Sequence, residues 1–326
     1  MDGFLIINKP PDWTSHDVVA KVRGLLHESR VGHTGTLDPM ATGVLPLCIG
    51  KATKVASYLL ETDKEYRVVM HLGATTDTQD GTGHILTRST GHATPEDVIR
   101  VLHAFVGSQT QIPPMYSAVK VGGVPLYKAA RAGRVVERQP RAVTIGRLQV
   151  LGIAADEATF DVTCSKGTYV RTLCADAGER LGVGAYMQAL ERRRVGAFGI
   201  DRAITIGDLE GAVRNGTVED LVVSIDAALS EVPAADVDPQ TAERVCHGVP
   251  LPVSRVARWD GVCRAGGLVR IRSQAVTVAL ATAPADHATL VARGTTAVLK
   301  IDRVLRDGVS AVSGGRSLSR GSAHSR

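Results

Sequence analysis

Between Val31 and Gly50 the chain reads VGHTGTLDPMATGVLPLCIG. This stretch limits the fold more than any other. Its glycines at 32, 35, 43 and 50 permit tight turns and close approach. Pro39 confines Asp38 to extended or turn backbone. The stretch therefore reads as a stiff, tightly turned loop that frames one acid, Asp38, and one histidine, His33. Regular structure has to lie on either side of it.

The flanks read that way. GFLIINKP is a short buried strand ended by Pro10 and Pro11. TSHDVVAKVRGLL is a helix with Ser15 as N-cap and Val18, Val19, Val22, Leu25 and Leu26 on one face. KEYRVVMHLG alternates as a strand, and Gly73 opens a polar turn region that runs to Gly83. TPEDVIRVLHAFVG predicts a helix with Thr94 as cap, Pro95 at the first helical position and Gly107 as terminator. ATFDVTCSKGTYVRTLCADAGERLG predicts a strand, a Ser-Lys-Gly turn and a helix closing at Gly182. Arg171 falls in the first turn of that helix. A cation there opposes the helix dipole, which favours a non-structural reason for it. The charge run at 191–194 predicts a solvated face.

Two further segments shape the domain organisation. Residues 108–141 are loop-like and basic, with Lys120, Lys128, Arg131, Arg134, Arg138 and Arg141 against Glu137, and Tyr116 and Tyr127 interleaved. Such a pattern suits contact with nucleic acid. PAADVDP, Pro233 to Pro239, reads as a linker. Beyond it GVPLPV, GLVRIR, AVTVAL, ATLVARG and AVLKIDRVL read as strands of a small β-rich domain. The expected division is 1–232, 238–306 and a disordered basic tail over 307–326. The fold class is α+β, a mixed or antiparallel sheet with flanking helices.

With 326 residues, 44% of them hydrophobic and 22% charged, the composition is that of a soluble globular chain. The net charge of +5 mildly favours a polyanionic partner. Five cysteines at scattered positions offer neither a disulfide framework nor a zinc spacing, and the Cys246-His247 pair has no second pair near it. No metal is expected. No apolar run reaches membrane-spanning length and the N-terminus does not read as a signal peptide, so a cytoplasmic chain is expected. The sequence offers no partner helix or coiled coil, so a monomer is expected.

GHTGTLDPMATGVL resembles the signature of the bacterial TruB-type tRNA pseudouridine synthases. Four more blocks resemble that family in the same order: GFLIINKPPDWTSHDVV, DKEYRVVMHLGATTDTQDGTG, IPPMYSAVKVGGVPLYKAARAG and CSKGTYVRTL. Five ordered blocks over about residues 3–200 are specific where one would be weak. The C-terminal β-rich segment resembles a PUA RNA-binding domain. One departure is Glu191, directly after Leu190, where the family commonly carries a basic residue.

The resemblance implies a fold, a reaction and a set of residues. The reaction would be isomerisation of the T-loop uridine of tRNA, position 55, without guide RNA, cofactor or metal. Asp38 would be the catalytic aspartate, acting at C1′ or C6 as nucleophile or at C2′ as base. Arg171 would pair with it. Tyr66 would stack on the target uracil and receive or relay the C5 proton. Leu190 would wall the pocket, Lys9 would support the loop, and His33 would contact the space the flipped nucleotide leaves. Tyr169 would contact substrate beside Arg171, and Lys120, Lys128 and Arg131 would bind phosphates. A rival of another class is a tRNA-binding or tRNA-folding factor whose role needs no catalysis. A further rival is a guide-RNA-dependent relative that works within a multi-protein particle.

Overall fold

A computed structural model describes residues 1–292 and 295–306, without the side chain of Arg131. The expected tail, 307–326, lies outside the described residues. The chain divides into two compact units, Met1–Ala228 and Leu229–Arg326.

A nine-stranded sheet organises the first unit. Its main path runs Gly3–Lys9, Thr42–Ile49, Ala185–Val195, Lys64–Leu72, Glu157–Cys164, Arg141–Ala154 and Gly107–Gln111. Every neighbouring pair on that path is antiparallel except Thr42–Ile49 with Ala185–Val195. The sheet is therefore mixed, one of the two forms the sequence leaves open. Val18, Val19 and Val22 of the helix Ser15–Leu26 and Leu173, Cys174 and Ala177 of the helix Val170–Leu181 bury their apolar faces in one core with the strands.

Local signals account for most of these elements. Thr14, not Ser15, caps the first helix, because the capping box needs an acid three residues on and Asp17 supplies it. Ser15 is buried instead, and its hydroxyl bonds both the N–H and the carbonyl of Leu37. That contact ties the helix start to the loop carrying Asp38. Pro95 opens its helix as expected, but the helix ends at His103 and Gly107 begins the edge strand. Gly182 closes the Arg171 helix in the left-handed conformation.

The structure departs from the sequence reading in several places. Residues 108–140 are not one loop: they finish the strand Gly107–Gln111, then form a two-stranded hairpin, Lys120–Val121 with Val124–Pro125, and a short helix, Leu126–Arg131. Glu191–Arg194 lie within the strand Ala185–Val195, with Arg192 only 1% exposed, so the run is not a solvated face. PAADVDP contains a strand, Ala234–Asp236. It lies inside the second unit's six-stranded sheet, parallel to Leu268–Ser273. ATLVARG begins within a helical turn, His287–Leu290, rather than a strand. A helix the sequence reading missed, Pro239–Cys246, is capped by Asp238 and buries Ala242 and Val245 against the second sheet.

Candidate active site

Asp38 stands in the loop between the short strand Val31–His33 and the long strand Thr42–Ile49. Around it the sheet brings together residues far apart in sequence. Lys9 ends the first strand, Tyr66 lies near the start of Lys64–Leu72, and Leu190 lies on the central strand between them. Arg171 reaches the loop from the first turn of its helix.

The central contact is an ion pair. Arg171 Nε donates to Asp38 Oδ2 at 2.8 Å, and Nη2 donates to Oδ1 at 3.2 Å. The fork is thus bidentate, the strong arrangement for a guanidinium and a carboxylate. The remaining donors reach the carbonyls of Thr78 at 3.1 Å and Tyr116 at 2.9 Å. The Arg171 side chain is 5% exposed, while that of Asp38 keeps 34% of its surface open. The carboxyl is thus fixed from behind and open in front.

A second acid shares the guanidinium. Asp80 Oδ2 lies 3.6 Å from Arg171 Nε, and this residue too is buried. Its Oδ1 accepts from the hydroxyls of Thr78 and Thr82 and from the Thr82 N–H. The sequence reading passed over Asp80 as part of a polar turn. The threonines on both sides, in TDTQDGT, were the available signal for a carboxylate held by short hydroxyl side chains.

Burial pushes the Asp38 carboxyl above the usual carboxylate range. Arg171 opposes this, Asp80 reinforces it, and Lys9 opposes it more weakly. The expected pairing with Arg171 favours the ionised form, and desolvation is the larger influence.

Lys9 is fully buried, and its Nζ donates to the carbonyls of Pro10, Trp13 and Pro39 at 2.8, 2.6 and 2.9 Å. One cation therefore ties the residue after Asp38 to the end of the first strand. Burial lowers its pKa to about 8, against the pull of Asp12 and Asp38. Tyr66 is half-buried on the Asp38 side of the sheet. Burial raises its phenol to about 12, with Arg192 pulling the other way. Leu190 is buried and paired across the strands with Val68.

His33 is half-buried, with Nδ1 accepting from the Gly35 N–H at 3.3 Å. Burial first, then the charge of Arg192, lowers its pKa, so the imidazole is neutral at neutral pH. Tyr169 precedes the Arg171 helix. Its backbone N–H and carbonyl both bond the side chain of Gln111, at 2.7 and 2.9 Å. Gln111 thereby fixes the helix start that aims Arg171, and nothing in the sequence reading singled it out. Lys120 and Lys128 are exposed on the hairpin and the short helix of 108–141, outside this cluster. Among the described residues no three His, Cys, Asp or Glu side chains converge as a metal site would require. No helix among them is long and apolar enough to cross a membrane.

Comparisons with known proteins fit this geometry. The model of the TruB family pseudouridylate synthase N-terminal domain matches residues 23–170. That of the tRNA pseudouridylate synthase B C-terminal domain matches residues 171–230. The two matches meet at Arg171, inside one sheet-and-helix unit. The tRNA pseudouridine synthase B of Geobacter sulfurreducens is 46% identical over 283 residues, 86% of this chain and 93% of that protein. The tRNA pseudouridine synthase B of Stutzerimonas stutzeri is 42% identical over 275 residues, 83% of this chain and 88% of that protein. Among solved structures, a chain of a Cbf5-Nop10-Gar1 complex superposes with a TM-score of 0.78 at 30% identity, covering 93% of this chain and 85% of that one.

Proposed function

This chain belongs to the TruB family of pseudouridylate synthases, and we propose on that premise that it isomerises the T-loop uridine of tRNA, position 55, to pseudouridine. The observation that carries the reading is the bidentate Arg171–Asp38 pair, with Tyr66 and Leu190 on the strands beside it. The reaction breaks the bond from uracil N1 to ribose C1′, turns the base and rejoins it through C5. Nothing is oxidised and no group leaves, so the chemistry calls for no cofactor and no metal. It calls for one accurately placed carboxylate, a proton acceptor for C5 and a dry pocket.

Asp38 is that carboxylate, as nucleophile at C1′ or C6 or as base at C2′. Arg171 holds it in its ionised form and in one orientation. Lys9 supports the loop through the Pro39 carbonyl. Tyr66 stacks on the uracil and receives or relays the C5 proton. Its phenol is protonated at neutral pH, so any such transfer has to begin with movement of its own proton. Leu190 walls the pocket, Tyr169 contacts the substrate beside Arg171, and His33 faces the space left when the uridine is turned out of the RNA stack. Lys120, Lys128 and Arg131 bind tRNA phosphates. The second unit serves as a PUA-like RNA-binding domain. The chain works as a monomer in the cytoplasm.

The likeness to a chain of a multi-protein complex favours a second reading, in which catalysis needs protein partners and a guide. The higher identity to proteins named tRNA pseudouridine synthase B, 46% against 30%, supports the stand-alone reading. Purified chain alone with an unmodified tRNA transcript separates them. Pseudouridine at the T-loop position is expected. Tight binding without conversion would leave only a binding or folding factor, and conversion only with added partners would support the particle.

A further inference from the structure

Arg192 is among the largest fully buried side chains of the protein. A buried guanidinium is costly unless its donors are matched. Here its Nε donates to the Val44 carbonyl at 2.7 Å, Nη1 to Thr36 at 3.3 Å and Nη2 to Gly35 at 3.1 Å. Two of these carbonyls precede Asp38 and one follows it. A single side chain therefore closes the loop at both ends.

The backbone of Arg192 makes the same connection. On the central strand it lies opposite Tyr66 on one side and Gly43 on the other. Gly43 has a φ of +96°, and a Cβ there would meet the Arg192 carbonyl at 2.2 Å. Glycine is required at that crossing. The charge of the guanidinium is felt by Tyr66, Asp38, His33 and Lys64.

We infer that Arg192 is a positioning residue which locks the Asp38 loop to the strand that carries Tyr66 as one rigid frame. The inference rests on the proposed reaction. A guanidinium suits the task because its planar fork presents five donors in fixed directions. A lysine would keep the charge but could not reach the three carbonyls from the fixed directions of a planar fork. Lys9 fastens the loop at Pro39 from the first strand, and Arg192 fastens both of its ends from the central strand.

The test uses the full chain carrying Arg192→Lys, with Arg192→Met as a second variant. Unmodified tRNA transcript is used for filter binding and for single-turnover pseudouridine formation. Arg192→Lys is expected to keep tRNA affinity while the single-turnover rate falls roughly 100-fold, the scale of a misplacement of about 1 Å. Arg192→Met is expected to fall further. Amide exchange should speed up over residues 35–44 and stay unchanged in the strand Glu157–Cys164. A wild-type rate in Arg192→Lys overturns the inference. So does a parallel loss of affinity and rate with faster exchange across the whole sheet, which would mark a purely structural arginine. If the wild-type chain itself makes no pseudouridine, the proposed function fails. The exchange of residues 35–44 still decides whether Arg192 locks the loop.

Discussion

Replacing Arg171 with methionine keeps the length of the side chain and removes its charge and all its donors. The structure allows the cost to be worked out. Asp38 gives up hydrogen bonds at 2.8 and 3.2 Å, Asp80 gives up a cation at 3.6 Å, and the carbonyls of Thr78 and Tyr116 are each left without this donor. Breaking one side of a buried pair costs about 3–5 kcal/mol, because the other charge stays behind unmatched. Asp38 is open to water in front, which limits its share of the cost. Asp80 is not. For a unit of 228 residues about 4 kcal/mol corresponds to a fall in melting temperature of roughly 10 °C.

The pH dependence gives a sharper check. Burial already raises the folded pKa of Asp38 above its unfolded value, and Arg171 opposes that rise. Ionised Asp38 thus detracts from stability at pH values above its folded pKa, and protonation relieves the cost as pH falls through it. Without Arg171 the pKa climbs further. The deficit of Arg171→Met should therefore be largest near neutral pH and narrow as pH falls toward the ordinary carboxylate value of about 4. Adding Asp80→Asn should recover about 1–2 kcal/mol by removing one of the two stranded acids. Scanning calorimetry of the full chain resolves the transition of the first unit. A deficit under about 1 kcal/mol, or one that does not narrow between pH 8 and about 4, would refute the reasoning, since a buried pair cannot be broken so cheaply.

Asp38→Asn should abolish detectable turnover in a tritium-release assay while filter binding of tRNA persists; comparable turnover would sink the catalytic assignment. Because burial raises the Asp38 pKa, the acid limb of the wild-type single-turnover rate should lie above about 4, the value of a free aspartate. Tyr66→Phe should bind tRNA normally and lose most product formation, with Tyr66→Leu losing affinity as well; a Phe variant as fast as wild type would leave the ring as a stacking wall only. Neutralising Lys120, Lys128 and Arg131 together should weaken binding and flatten its dependence on salt by about 1 in slope for each phosphate no longer neutralised. Chemistry on saturating tRNA should survive.

What the sequence disclosed was local. Pro95 and Thr94 announce a helix, Gly182 ends one, and the Val18–Val19–Val22 spacing marks a buried face. The pairing of Asp38 with Arg171 was accessible only through resemblance, since 133 residues separate them and no spacing rule links a loop to a helix that distant. Arg192 was misjudged for a physical reason. A run of four charges looks solvated when read as a composition. Within a strand, successive side chains face opposite ways. Arg192 turns inward while Glu191 and Arg193 pair with each other at the surface, at 2.8 Å. Register shifts at Met187/Ala189 and Arg192/Arg194 hide the alternation that would have disclosed the strand. The segment 108–140 escaped because its elements are two to six residues long and its helix has no side-chain cap.

The buried charges around Asp38 show how one carboxylate can suffice. Lys9, Arg171 and Arg192 are all buried and act on Asp38, and Asp80 shares Arg171 with it. Positive charge is in excess wherever Lys9 is protonated, as it mostly is below about pH 8. In the proposed reaction, breaking the N1–C1′ bond leaves its electron pair on the detached uracil. A second carboxylate free to act would oppose that charge. Asp80 does not stand free, because Thr78, Thr82 and Arg171 occupy its oxygens. The same desolvation that raises the Asp38 pKa also strengthens each cation's hold on a developing anion. The stiff frame around Asp38 thus has an electrostatic purpose. The carbonyls of Gly35, Thr36, Pro39 and Val44 are held by buried cations, and the Asp38 side chain between them keeps 34% of its surface open.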